Sequence, residues 1–201
     1  MTNNIDKFDR HLIKNNTTCL IIGKVLKDFA IKDILTCMKH ISFAIIASTN
    51  IALCQLFLVN NAVKNIESFD QLKIRQMNLN RSENNKSLVL IDMENNKELY
   101  DQTYIKQMFY ENKCYNITYL YTFDDCTNIQ FNINVTYVFI LGEKDEEKRA
   151  ALYNNYSVYF ESFLAFTTIM NSLKTYEILL IYDGKLYIFK TYLQPNNRLF
   201  N

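Results

Sequence analysis

Residue types that do chemistry are scarce in this chain, and their spacing is unhelpful. Two histidines, His11 and His40, leave little for imidazole catalysis or a histidine-based metal site. The five cysteines, Cys19, Cys37, Cys54, Cys114 and Cys126, form no CxxC pair. Their odd count signals neither a disulfide framework nor a zinc site, and they read as scattered reduced thiols. Gly23, Gly142 and Gly184 stand far apart, so neither a GxGxxG nor a GxxxxGK[ST] loop is present. Asp124-Asp125 is an acid pair that could serve a metal or a proton transfer, but next to Thr127-Asn128 it reads as turn chemistry. Thr17-Thr18 is the remaining nucleophile candidate, with Asp33 and Lys39 nearby in sequence but in no pattern that assigns them a role. No cofactor and no metal is expected.

The elements that would position these residues follow from the hydrophobic pattern. Hydrophobic residues make up 49% of the 201 and charged residues 21%, enough apolar matter for a folded core. The net charge of +1 gives no electrostatic case for nucleic acid or for a polybasic membrane patch. After a polar arm over residues 1–16, Thr18 to Lys24 reads as a strand, Lys27-Asp28 as a turn, and Phe29-Ala30-Ile31 as the return strand. Ser42 to Ser48 reads as a short buried strand and Asn50 as the cap of a helix. Residues 67–97 are polar and asparagine-rich and read as an insertion, interrupted by Ser87 to Ile91.

Glu98 to Lys113 has the spacing of a helix with one buried face. Tyr115 to Phe123 and Ile129 to Leu141 are rich in β-branched and aromatic residues and read as strands. The acids ahead of the bases in Glu143 to Arg149 suit a helix start. Asn154-Asn155 is expected to divide the helical stretch that follows, with Ser157 capping its second part. Asp183-Gly184 between Tyr176–Tyr182 and Lys185–Leu193 is a strong hairpin signal. Paired helices and paired strands in this order predict an α+β fold with antiparallel sheet between helical layers.

Several segments resemble β subunits of the 20S proteasome. NNTTCLIIG with KDFAI is similar to the family's first hairpin. FAIIASTNIALCQLFLVNNAVKNI is similar to its strand, turn and first long helix. FYENKCYNITYLYTFDD, NIQFNINVTY, SVYFESFLAFTTIMNSL and YEILLIYDGKLYIFKTYL resemble its later helices, strands and terminal hairpin. The match is best to the non-catalytic sixth beta position. The resemblance implies an N-terminal-nucleophile hydrolase fold, a four-layer αββα sandwich of two antiparallel sheets between helix pairs. It implies a single domain over residues 17–195 and a tail over 196–201.

It also implies a structural subunit of the proteasome β ring, in cytoplasm and nucleus. Such a subunit would contact other proteasome beta subunits laterally and across the ring interface, and the alpha ring. Catalysis would require self-cleavage at Thr18. Asn16 stands where that cleavage calls for a glycine, and the register counted from Lys27-Asp28 falls on Cys19, so the chain is expected to be inactive by itself.

Two alternatives stand beside it. The uncharged stretch from Ile41 to Val63 is long enough for a single membrane span, although Ser48, Thr49, Asn50 and Gln55 interrupt it. A free enzyme is disfavoured by the shortage of glycine, histidine and paired acids.

Overall fold

A computed structural model of the chain describes residues 5–38, 41–47, 86–93, 115–124 and 135–191, with positions 74 and 77. Its strands are β1 (Asp6–Lys7), β2 (Thr18–Ile22), β3 (Ile41–Ala47), β4 (Lys86–Asp92), β5 (Ile117–Phe123), β6 (Tyr137–Ile140), β7 (Glu177–Tyr182) and β8 (Lys185–Lys190). The α-helices described from end to end are α1 (Lys27–Cys37), α2 (Glu146–Tyr156) and α3 (Phe163–Ser172). All eight strands join one sheet in the order β1-β8-β7-β6-β2-β5-β4-β3. The ladders among β6, β2, β5, β4 and β3 are parallel, whereas β6–β7 and β7–β8 are antiparallel.

This differs from the expected pair of antiparallel sheets. The physical reason lies in how the central runs are apolar. Every residue of β2, β5 and β6 is buried. A run that is apolar without alternation belongs to a strand covered on both faces, the signature of parallel sheet between helices. Alternate residues then serve two cores. Leu20, Ile22, Tyr119, Tyr121, Val138 and Ile140 pack on one face with Leu152 of α2 and Phe166 and Met170 of α3. Cys19, Ile21, Leu88, Leu90 and Phe139 pack on the other with Ala30, Ile31 and Ile34 of α1 and with Phe8 and Ile13 of the arm.

Three local expectations are corrected. Phe29-Ala30-Ile31 is not a return strand but the second turn of α1, whose buried residues Ala30, Ile31 and Ile34 recur at helical spacing. Ser87 to Ile91, read as part of an insertion, forms most of β4, an interior strand paired with β3 and β5. Asn154-Asn155 does not divide the helical stretch, since α2 runs through both to Tyr156; Ser157 opens a 3₁₀ turn, and the next helix is capped by Ser162, which accepts from the Ala165 amide.

Other expectations hold. Asp145 caps α2 at the acidic start. The Asp183-Gly184 hairpin forms with both turn residues at positive φ, 48° and 72°, as a type I′ turn requires. The helix expected over 98–113, the strand expected over 129–133, the cap at Asn50 and the tail lie outside the described residues. So does most of the uncharged stretch, of which Ile41–Ala47 is β3. Among the described residues no helix is long and apolar enough to cross a membrane.

Candidate functional site

Three apolar strands, β2, β4 and β5, run parallel and end together. At and just beyond those ends lie Lys24, Lys27, Asp92 and Asp124. The chain leaves β2 through Gly23, whose φ of +120° suits only glycine. A Cβ placed there would come within 2.7 Å of Leu141 Cβ, so the turn passes against the segment after β6 without room for a side chain. Three residues later Leu26 takes the left-handed conformation (φ 61°, ψ 20°) and opens α1 with no side-chain cap. A leucine in that region carries a steric cost. Lys27 follows in the first turn of α1.

The Lys27 ammonium is held by two carboxylates. Its Nζ donates to Asp124 Oδ1 at 2.5 Å and to Asp92 Oδ1 at 3.5 Å. Asp92 is the last residue of β4, 2% exposed, and also accepts from the Thr122 hydroxyl at 3.2 Å. Asp124 follows β5 and meets the exposed Lys24 at 3.7 Å. Two cations and two anions thus form a formally neutral cluster. Burial penalises the Lys27 charge, but the hydrogen bond to Asp124 and the charges of both acids outweigh it and raise its pKa above the ordinary 10.5. A cavity of about 470 Å³ lies beside this loop, with Val25, Leu26, Gly142, Arg149, Asn171 and Tyr176 in its lining.

The residues singled out in the sequence fall elsewhere or in other roles. Thr18 begins β2, fully buried, at the strand end opposite the cluster. Cys19 is also fully buried, and burial pushes its thiol up to about 12 despite a contact with the Thr17 hydroxyl, the reverse of an activated nucleophile. Asp33 is 1% exposed and paired with Arg10. Lys39 and Asp125 lie outside the described residues. Of the acid pair, Asp124 is therefore a site residue rather than a plain turn residue. Among the described residues no group of three or more His, Cys, Asp or Glu is placed to hold a metal.

Sequence reading missed Lys27 and Asp92 as partners. The available signal was that three apolar runs, LIIGK, SLVLID and TYLYTFD, each stop at a charged residue.

No family model matches the chain, and no curated protein matches it. Among solved structures it is similar to the cytoplasmic domain of the Thermomonospora curvata type VII secretion ATPase EccC, with a TM-score of 0.54 and 12% identity. The match covers 88% of this chain but only 25% of that one, so the chain spans about a quarter of its structural neighbour. At this identity the likeness concerns the fold alone, and it does not bear on the resemblance to proteasome subunits.

Proposed function

We propose that this chain is a non-hydrolysing domain on an ATPase-type α/β fold, acting as a structural module. The observation that carries the reading is Lys27 clasped by Asp92 and Asp124 at the ends of three parallel strands. In a P-loop NTPase a strand leads through GxxxxGK[ST] into a helix. The lysine reaches the phosphates, the hydroxyl residue holds Mg²⁺, and an acid on a neighbouring strand supports the metal. Here Lys27 opens the helix after β2, Asp124 follows the neighbouring strand β5, and Asp92 ends β4 one strand further on.

What would do the work of cradling phosphate is missing. Lys27 follows Gly23 by four residues, where the motif places its lysine six after the first glycine. Leu26 replaces the second glycine and Asp28 replaces the hydroxyl residue. A loop that short has too few amides to surround a triphosphate, and its lysine is already neutralised. The geometry suits a lock that fixes α1 to the sheet.

Titration with a fluorescent ATP analogue and Mg²⁺, alongside a phosphate-release assay, tests this. Neither saturable binding nor turnover above background is expected. Mg²⁺-dependent binding that Lys27→Ala abolishes would overturn it. Native purification with mass spectrometry tests the assembly. Co-elution with α- and β-type proteasome subunits would displace the ATPase-fold reading in favour of a structural ring subunit.

A further inference from the structure

The arm over residues 5–16 is held differently from every strand of the core. β2 is buried at all five positions, whereas the arm is anchored by three side chains with exposed residues between them, and at its base by hydrogen bonds of Lys14 to Tyr137 and of Asn16 to Thr118 and Asn116. Phe8 is one anchor, 7% exposed, its ring edge-on to Tyr182 at 5.5 Å and Tyr187 at 5.4 Å. Its amide donates to the Ile188 carbonyl at 2.9 Å, extending the two-residue parallel ladder of β1 on β8. Arg10 is the second anchor. Its Nη2 meets Asp33 Oδ1 at 2.7 Å, and its guanidinium lies 5.4 Å from the centre of the Phe189 ring. Ile13 is the third, 5% exposed, and the Tyr137 hydroxyl donates to the neighbouring Leu12 carbonyl at 2.7 Å. Asp9, His11 and Leu12 between them, and Lys14 after them, are exposed. The arm joins β2 through Asn16 at φ 59°.

Spaced anchors, an added edge strand and exposed intervening residues are how a linear peptide binds a groove. The groove also supplies a carboxylate, Asp33, buried in α1. If the arm left, that charge would stay buried without its guanidinium, an expensive state. A vacated groove therefore favours a replacement of the same chemistry. We propose that this groove is a peptide-docking site occupied in cis by the arm, and that it takes the same segment from a second copy of the chain, giving an arm-exchanged dimer. Exchange of an identical element adds no new contact chemistry and is a low-cost route to a dimer.

The test uses the full chain and a fluorescent peptide of residues 5–16. Saturable uptake is expected, weakened about tenfold or more in peptides carrying Phe8→Ala or Arg10→Ala, as for anchor residues. A full chain carrying Arg10→Ala, whose own arm holds less well, should take the unaltered peptide more tightly. Should that variant fail to fold, the wild-type chain with the peptide set decides. Sedimentation of the wild-type chain should show a concentration-dependent dimer that excess peptide dissociates. Absence of uptake, or equal uptake of the Arg10→Ala peptide, would overturn the docking site. A monomer at all concentrations, or a dimer indifferent to the peptide, would overturn the second copy as occupant.

Discussion

The two ends of α1 are both fastened by buried ion pairs, yet the fastenings differ in kind. At the first turn, Lys27 reaches two acids carried by the adjacent strands β4 and β5. Near the last turn, Asp33 receives one guanidinium from the arm, a segment outside the central sheet. The first pairing ties a helix to the strands beneath it. The second depends on a strap whose ladder to the sheet is the two residues of β1, supplemented by Phe8 and by scattered hydrogen bonds. Burial of a charge is thus compatible with a fixed core and with a detachable segment alike. What separates the two is how many other contacts hold the partner in place.

The largest effect should come from breaking the first fastening. Lys27→Met would take the shared ammonium from the buried Asp92 and leave Asp124 with the exposed Lys24, and a loss of about 3–5 kcal/mol in urea unfolding is expected. Adding Asp92→Asn and Asp124→Asn should restore much of it, because neutral amides need no counter-charge. Arg10→Met removes the guanidinium from Asp33 alone, and the Arg10 side chain is 19% exposed. A loss of about 3 kcal/mol is expected, near the lower end for a severed buried pair. Unequal losses in that order sharpen the contrast; equal ones would erase it.

Titration separates the ends further. The folded Lys27 pKa lies above 10.5, so its contribution is complete below that value and is lost as pH rises through the folded pKa. Thermal unfolding followed from pH 7 upward should therefore hold steady as far as this lysine is concerned until about pH 10.5, then decline. The decline should be absent in Lys27→Met. Arg10 is also shifted upward. Burial weighs against its charge, but its bonds to Asp33 and Cys37 prevail, and it stays charged throughout that range.

The smallest effect is expected in the loop. Leu26→Gly relieves a left-handed leucine and should stabilise the fold by about 1 kcal/mol. A loss instead would mean that the Leu26 side chain contributes more to packing than its backbone costs.

Much of the fold was legible where a local signal and the tertiary context agree. The Asp183-Gly184 hairpin and the acidic start of α2 are short-range features, and both form as their residues predict. β5 is equally direct, an aromatic and β-branched run. The misreadings arose where local signals conflict with long-range ones. Phe29-Ala30-Ile31 favours a strand by residue type, but Ala30, Ile31 and Ile34 must cover one face of the sheet, and helical spacing prevails. β4 was hidden because asparagine-rich flanks made its surroundings read as an excursion. The site was hidden for the same reason. Lys27, Asp92 and Asp124 are spread over almost a hundred residues, and only the parallel order of β2, β5 and β4 brings them together.

That order also sets a timetable for synthesis. Thr18 pairs with Tyr119, and Cys19 with both Leu120 and Tyr137. β2 therefore leaves the ribosome roughly a hundred residues ahead of either neighbour, about 5–20 s at ordinary translation rates. During that interval an apolar segment destined for the middle of the sheet has no native strand to join. Newly made chains should be most vulnerable to aggregation before Phe123 emerges, and arrest of translation upstream of that point should leave nascent chains that depend on chaperones.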